Sequence, residues 1–553
     1  MKTGLAKRTL LSLGLVALGG GVLVLASSGP EPGQARGKAP SGGMFRIAFA
    51  PPEQLDTMDP AIANSQASWL LLDTTCARLM TYPDKPPPRA YRPVPEVAVA
   101  PPKISGGGKT YTFVLRRDFR FSDGKPVRAD AFAHAINRTL ATGARSIGTR
   151  YMEDILGARA VQSGRASSAR GVKARGYRLV IRLKQPLGDF AERTTMPFFC
   201  AVPPSLPTTD PEGRGEFAGS GPYYVQEYRP GQRIVIRRNR YYRGRRPHHV
   251  DGFSVDLTAS SPQEVLDRIE DGRADWGIAP PPIYFEQQPR LEQKYGLKGQ
   301  FRVRPGFTFR GFVLNTARPL FRDNVSLRKA INLAVDRQAF GAGGNLGTRV
   351  TDQYLPPNLP DFDDATIYPL KTANLRRARM LARGHLRGGK AVLYIQAQPL
   401  TLGLGQKIRQ QLARIGLDVD VQAIPATAYA TRLSTPREPY DMAFLVTPSV
   451  DYYDPYAFLN VFFESRFIGR TGLNYSNLHS AKYDRRLRAA SRLRGRARLR
   501  AYGRLDVELA RDVAPIVAMA YITEPTLVSK RVAPGCILLR PALDLTAVCL
   551  KRS

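Results

Sequence analysis

The residues able to do covalent or metal chemistry are few and poorly spaced for it. The five histidines, His134, His248, His249, His385 and His479, fall in no recognisable motif. A hydrolase needs a nucleophile, a base and an orienting group, and zinc needs ligands at set spacings, so neither is implied. His248-His249 reads as a solvated pair. Gly106-Gly107-Gly108-Lys109-Thr110 glances at a phosphate loop, but Lys103 stands where its first glycine belongs, which makes the segment a surface turn before a strand. No catalytic residue, no metal and no cofactor are expected, and an enzyme is the weakest reading of this chain.

The N-terminus suggests export. Lys2, Lys7 and Arg8 precede an uncharged run from Thr9 to Ala26, followed by small residues, the layout of a secretory signal or, uncleaved, a membrane anchor over residues 1–26. Residues 27–43, rich in Pro, Gly, Ser and Ala, read as a flexible linker. In an exported chain four cysteines are more naturally paired than free. Cys536 and Cys549 are near neighbours in sequence and Cys76 and Cys200 would form the remaining pair, although four cysteines allow three connectivities. The net charge of +36 invites a nucleic-acid reading, but the arginine excess is dispersed and an export signal puts the chain on the wrong side of the membrane for DNA. Attraction to an anionic cell surface accounts for the charge as well.

The elements that would position a site follow from periodicity. Phe45–Phe49, Tyr111–Leu115 and Tyr177–Leu183 alternate like strands, and Asp130–Leu140 has a helical face. Ala391–Ile395, a helical stripe of Leu404, Ile408, Leu412 and Ile415, a stop at Gly416, and Val419 with Val421 make a βαβ unit, hence a parallel sheet covered by helices. Tyr483–Ala510 reads as one long amphipathic surface helix. At 553 residues the chain is long enough for two or three lobes.

Five segments in order carry a family resemblance: Leu55–Pro60, Tyr111–Ala131 (YTFVLRRDFRFSDGKPVRADA), Gly219–Tyr223 with Arg237–Tyr242, Leu266–Asp275 and Phe312–Arg337. Together they resemble the large extracytoplasmic solute-binding proteins of ABC importers, family 5, which include oligopeptide-, dipeptide- and nickel-binding receptors. The resemblance implies an α/β, two-lobed, periplasmic-binding-protein-like fold with mixed sheets, a hinge and an inserted subdomain. The first lobe would take 44–90, 205–305 and 512–553, the inserted subdomain 91–204 and the second lobe 306–511, with the hinge near Phe307–Phe312 and Pro515–Tyr521. Most signature residues are expected to hold the architecture; Asp323 or Asn324 can cap a helix whose Leu327, Ile331 and Ala334 face a core.

The resemblance also implies a site. Asp451-Tyr452-Tyr453-Asp454-Pro455 is similar to the family stretch whose first aspartate receives the α-ammonium of a peptide, and that role carries over to Asp451 only. A carboxylate in a cleft that dehydrates on closure is stable when a cation meets it and costly when left alone. Tyr452 is the second candidate for ligand contact. The alternative is a turn begun by Asp451, with the tyrosines in the core, and Pro448, where peptide receptors often carry tryptophan, departs from the pattern. The implied function is capture of peptide or a similar polar solute for an ABC permease and its ATPase subunits; the alternatives are a same-fold receptor for a metal chelate, haem or oligosaccharide, and a basic regulatory or nucleic-acid-binding protein.

Overall fold

The computed structural model describes residues 40–51, 55–86, 89–142, 146–208, 213–278, 281–341, 348–359, 362–446, 451–469, 472–537 and 543–551. The leader, most of the linker and Pro448 lie outside the described residues. Among the described residues no helix is long and apolar enough to cross a membrane.

Three main sheets organise the chain. A five-stranded sheet is built around Met44–Phe49, which pairs in parallel with both Gly252–Asp256 and Trp276–Ile278; the antiparallel strands Arg233–Arg238 and Tyr223–Arg229 extend it. A four-stranded antiparallel sheet, lying within the stretch expected to be the insertion, takes Lys103–Ser105, Thr110–Val114, Val172–Arg175 and Arg178–Arg182. Its apolar face packs on the helix Ala129–Ala141 through Tyr111, Phe113, Leu179 and Ile181 against Phe132, Ile136 and Leu140.

The six-stranded sheet of the second lobe contains the βαβ unit. Lys390–Gln396 runs parallel to Asp418–Ile424 and to Met442–Val446, joined through the helices Pro399–Ala413 and Ala426–Ser434. Gly416 at φ +86° ends the first of these crossovers, where a side chain would be strained. Leu404, Ile408 and Leu412 cover one face of the sheet with Leu327 and Ile331; Tyr429 and Leu433 cover the other.

Two long antiparallel strands, Phe301–Leu314 and Ile516–Leu527, connect the lobes. Phe301 and Leu527 belong to a core shared with Ala48 and Ala50, whereas Phe312 and Val517 belong to the core of the second lobe. The ladder slips between Pro305 and Thr308 and again between Arg310 and Gly311. Irregular pairing between two independent cores is where strands bend most easily. Beyond the C-terminal strand the chain, from Val528, continues into the core of the five-stranded sheet.

The stretch 483–510 is two helices, Ala481–Arg492 and Gly495–Glu508. The break falls at Leu493 and Gly495, the latter at φ +54°, a left-handed conformation that apolar periodicity does not reveal. Asn324 caps Val325–Ala334, its side chain accepting from the Leu327 amide at 3.3 Å. The Gly219-Ser220-Gly221 signature is architectural: Ser220 Oγ bridges the Ala77 amide (3.0 Å) and the Ala201 carbonyl (2.8 Å), and a Cβ on Gly221 would lie 2.5 Å from the Thr75 carbonyl carbon. Beside it Cys76 and Cys200 are disulfide-bonded, their Cα atoms 5.3 Å apart, and Cys536 and Cys549 form the second disulfide at 5.5 Å.

Candidate functional site

Asp451 stands where the second lobe meets the four-stranded subdomain. Its Oδ2 accepts from Arg150 Nη2 at 2.9 Å and from the Tyr151 hydroxyl. Both donors come from the short helix Thr149–Met152, some 300 residues earlier in the chain. The Arg150 guanidinium lies over the Tyr151 ring at 4.9 Å. Burial pushes the Asp451 carboxyl above its ordinary pKa, and Arg150 pulls it only part of the way back. The side chain keeps 21% of its surface open to water, so the pair is not sealed. The carboxylate therefore needs a cation, and in this conformation the protein supplies it.

Tyr452 turns inward and is 1% exposed, its hydroxyl donating to Asp189 Oδ2 at 2.7 Å. Asp189 also receives Arg193 Nε at 2.9 Å, and Arg193 Nη1 reaches Asp154 at 3.4 Å and the Tyr151 carbonyl at 3.2 Å. Asp454, three residues beyond Asp451, is clamped by Arg498 at 3.0 and 2.6 Å and accepts from the Tyr456 amide at 2.8 Å, starting the helix Tyr456–Phe463. Glu192, beside these carboxylates, is pushed up to about 8 by burial and by the negative charge of Asp454. Gly188 donates to the Ser491 carbonyl at 2.8 Å, adding a backbone bond across the same seam.

Tyr453 meets a second group from the first half of the chain, an aromatic one. Its ring lies 4.6 Å from Tyr82, 4.8 Å from Tyr91 and 4.9 Å from Phe307, and its amide donates to the Tyr82 hydroxyl at 3.0 Å. Phe307 belongs to the connecting strand, so this aromatic group sits at the slip in the ladder. Sequence reasoning missed Arg150, Tyr151, Asp189, Tyr82 and Tyr91. None of the five falls in a motif.

Two of the histidines meet backbone carbonyls: His134 Nε2 lies 2.7 Å from the Leu206 carbonyl, and His248 Nδ1 lies 3.0 Å from the Arg246 carbonyl. Among the described residues no three His, Cys, Asp or Glu side chains gather in a group able to hold a metal. Gly106–Gly108 forms a short 3₁₀ turn before Thr110–Val114.

Two lobes bridged by a pair of long strands, with charged and aromatic groups meeting at the seam, define the architecture of a solute-binding protein. The chain belongs to the bacterial extracellular solute-binding proteins, family 5, whose middle region matches residues 92–469. It is 30% identical over 250 residues to Protein XP55 of Streptomyces lividans, covering 44% of this chain and 41% of that one. It is 26% identical over 271 residues to the oligopeptide-binding protein OppA of Bacillus subtilis, covering 47% and 48%. The matches thus span about half the length of these relatives or less. The fold is shared with the clavulanic acid biosynthesis oligopeptide binding protein 2, at a TM-score of 0.84 and 23% identity, covering 93% of this chain and 96% of that one.

Proposed function

We propose that this protein is the extracytoplasmic substrate-binding component of an ABC importer, and that it captures oligopeptides between its lobes and delivers them to a membrane permease. The observation that carries the reading is the Asp451 carboxylate, destabilised by burial and matched by a cation across the seam. A ligand ammonium replaces Arg150 as the seam opens and recloses, so one cation is exchanged for another and the carboxylate is never left bare. The aromatic group of Tyr82, Tyr91, Phe307 and Tyr453 supplies large, sequence-tolerant contact area beside it. The name of the Bacillus subtilis relative supports peptide as the solute class. The leader at residues 1–26 exports the chain, and the ATPase subunits act on the permease it serves.

A non-peptide solute is the second reading, favoured by the same Arg150: a protein that neutralises its own acceptor has no need of an amine on its ligand. Mass spectrometry of what co-purifies with residues 44–553, native and then denatured, separates the two. Peptides released from the wild type and absent from Asp451→Ala support the first reading; a different molecule retained by the variant overturns it and leaves Asp451 as the partner of Arg150 alone.

A further inference from the structure

Among the described residues of the second lobe, three arginines are buried without a carboxylate partner, and they are not alike. Arg337, fully buried, donates to the carbonyls of Ala518 (2.8 Å), Asn332 (3.0 Å), Thr351 (3.2 Å) and Pro369 (3.2 Å) and to Asn332 Oδ1 (3.1 Å). Arg328 gives Nε to the Val513 carbonyl at 2.8 Å and Nη1 to the Phe321 carbonyl. Arg310 is 5% exposed, and neither its Nε nor its Nη1 reaches any acceptor. Burial pushes its pKa down to about 10 with no neighbouring charge to oppose it, so it is still a cation at neutral pH. A buried guanidinium left without acceptors is costly, and the first two arginines show how readily this lobe satisfies one.

The position of Arg310 suggests what it waits for. It pairs with Ala520 on one side and with Val446, the last residue of its strand, on the other. Met442–Val446 and Lys390–Gln396 are parallel, with Leu393 opposite Met442; the same register sets Ala397 level with Val446, two residues before the helix Pro399–Ala413 begins. Arg310 therefore stands at the carboxyl edge of the parallel strands, the edge at which open α/β sheets bind ligands. The helix that starts there has no side-chain cap. Asp451 follows Val446 by five residues, a span of at most ~18 Å of chain.

We infer that Arg310 is an anion-receiving subsite that binds a carboxylate of the transported solute. This rests on the receptor reading and deepens it: the solute is dipolar, with an ammonium for Asp451 and a carboxylate for Arg310. Arg310 is left unmatched because the ligand completes it.

The test uses residues 44–553, the Arg310→Met and Arg310→Lys variants, and trialanine as the free acid or the C-terminal amide, with binding read by calorimetry. Wild type is expected to prefer the acid by 10-fold or more, Arg310→Met to lose that preference while remaining folded, and Arg310→Lys to keep part of it. An equal preference in wild type and Arg310→Met, or none in wild type, overturns the proposal. If wild type binds neither peptide, the peptide reading fails, and acetate titrated against chloride at fixed ionic strength decides the subsite. A thermal midpoint raised by acetate in wild type but not in Arg310→Met sustains it; equal shifts overturn it.

Discussion

The seam beside Asp451 and the strand edge at Arg310 treat buried charge in opposite ways. At the seam three carboxylates have partners: Asp451 has Arg150, Asp189 has Arg193 and Tyr452, and Asp454 has Arg498, while Glu192 beside them is pushed up to about 8. At the edge Arg310 has none at two of its nitrogens. Paired ions hold two parts of the chain in register, because withdrawing either partner strands the other in a low-dielectric place. An unpaired ion gives no such hold. Its value lies in what it can still bind.

The largest expected effect breaks the paired side. Arg498→Met leaves Asp454 uncompensated in a buried site and is expected to cost about 3–5 kcal/mol in denaturant unfolding. Replacing Asp454 by Leu in the same chain removes the stranded charge and should recover much of that loss; no recovery would mean the pair matters through geometry alone.

A third way of managing buried charge sharpens the contrast. Asp506 is fully buried, accepts from the Tyr354 amide at 2.8 Å and Gln353 Nε2 at 3.1 Å, and is pushed up to about 7 by burial. Its unfolded pKa is about 3.9. Between these values the folded chain holds a proton that the unfolded chain has released, so this contribution is complete below about pH 4 and is lost as pH rises through 7. Asp506→Asn should flatten that part of the stability profile, an effect on the order of a few kcal/mol across the window. An unchanged slope would place the titration elsewhere.

Tyr452→Phe removes a hydroxyl donor from a buried carboxylate and should cost about 1.5–3 kcal/mol of stability. If Tyr452 acts only as a strut, affinity for the co-purifying solute stays put; a fall in affinity larger than the fall in stability makes it a ligand contact. The smallest effect is a pair of opposite signs. Arg337→Met strips several carbonyls of their donor and should destabilise by about 1–3 kcal/mol, whereas Arg310→Met removes an unmatched charge and should stabilise the unliganded protein by about 1 kcal/mol. Equal losses would show that Arg310 has a structural role after all.

Much of the fold was legible because it is periodic. The strands near 45–49, 111–115 and 177–183 and the βαβ unit at 390–424 come from apolar spacing, which burial on one or two faces requires. The division of 481–508 into two helices was not legible, because a backbone turn at Gly495 leaves the apolar stripe intact on either side. At the site, Asp451 stood out through the company of Asp454 and Pro455, but the sequence carries no trace of Arg150, which meets it from 301 positions away.

By itself the sequence determined the family, the α/β class, a helix cap at Asp323 or Asn324 and the four cysteines available for pairing, because these depend on local spacing and on the types of residue present. The tertiary structure decided which charges are spent on holding the chain together and left Arg310 without a partner among the described residues. That distinction depends on which distant side chains arrive within hydrogen-bonding reach, and only the packing of the three sheets brings Arg150 to Asp451 while leaving Arg310 without an acceptor at two of its nitrogens.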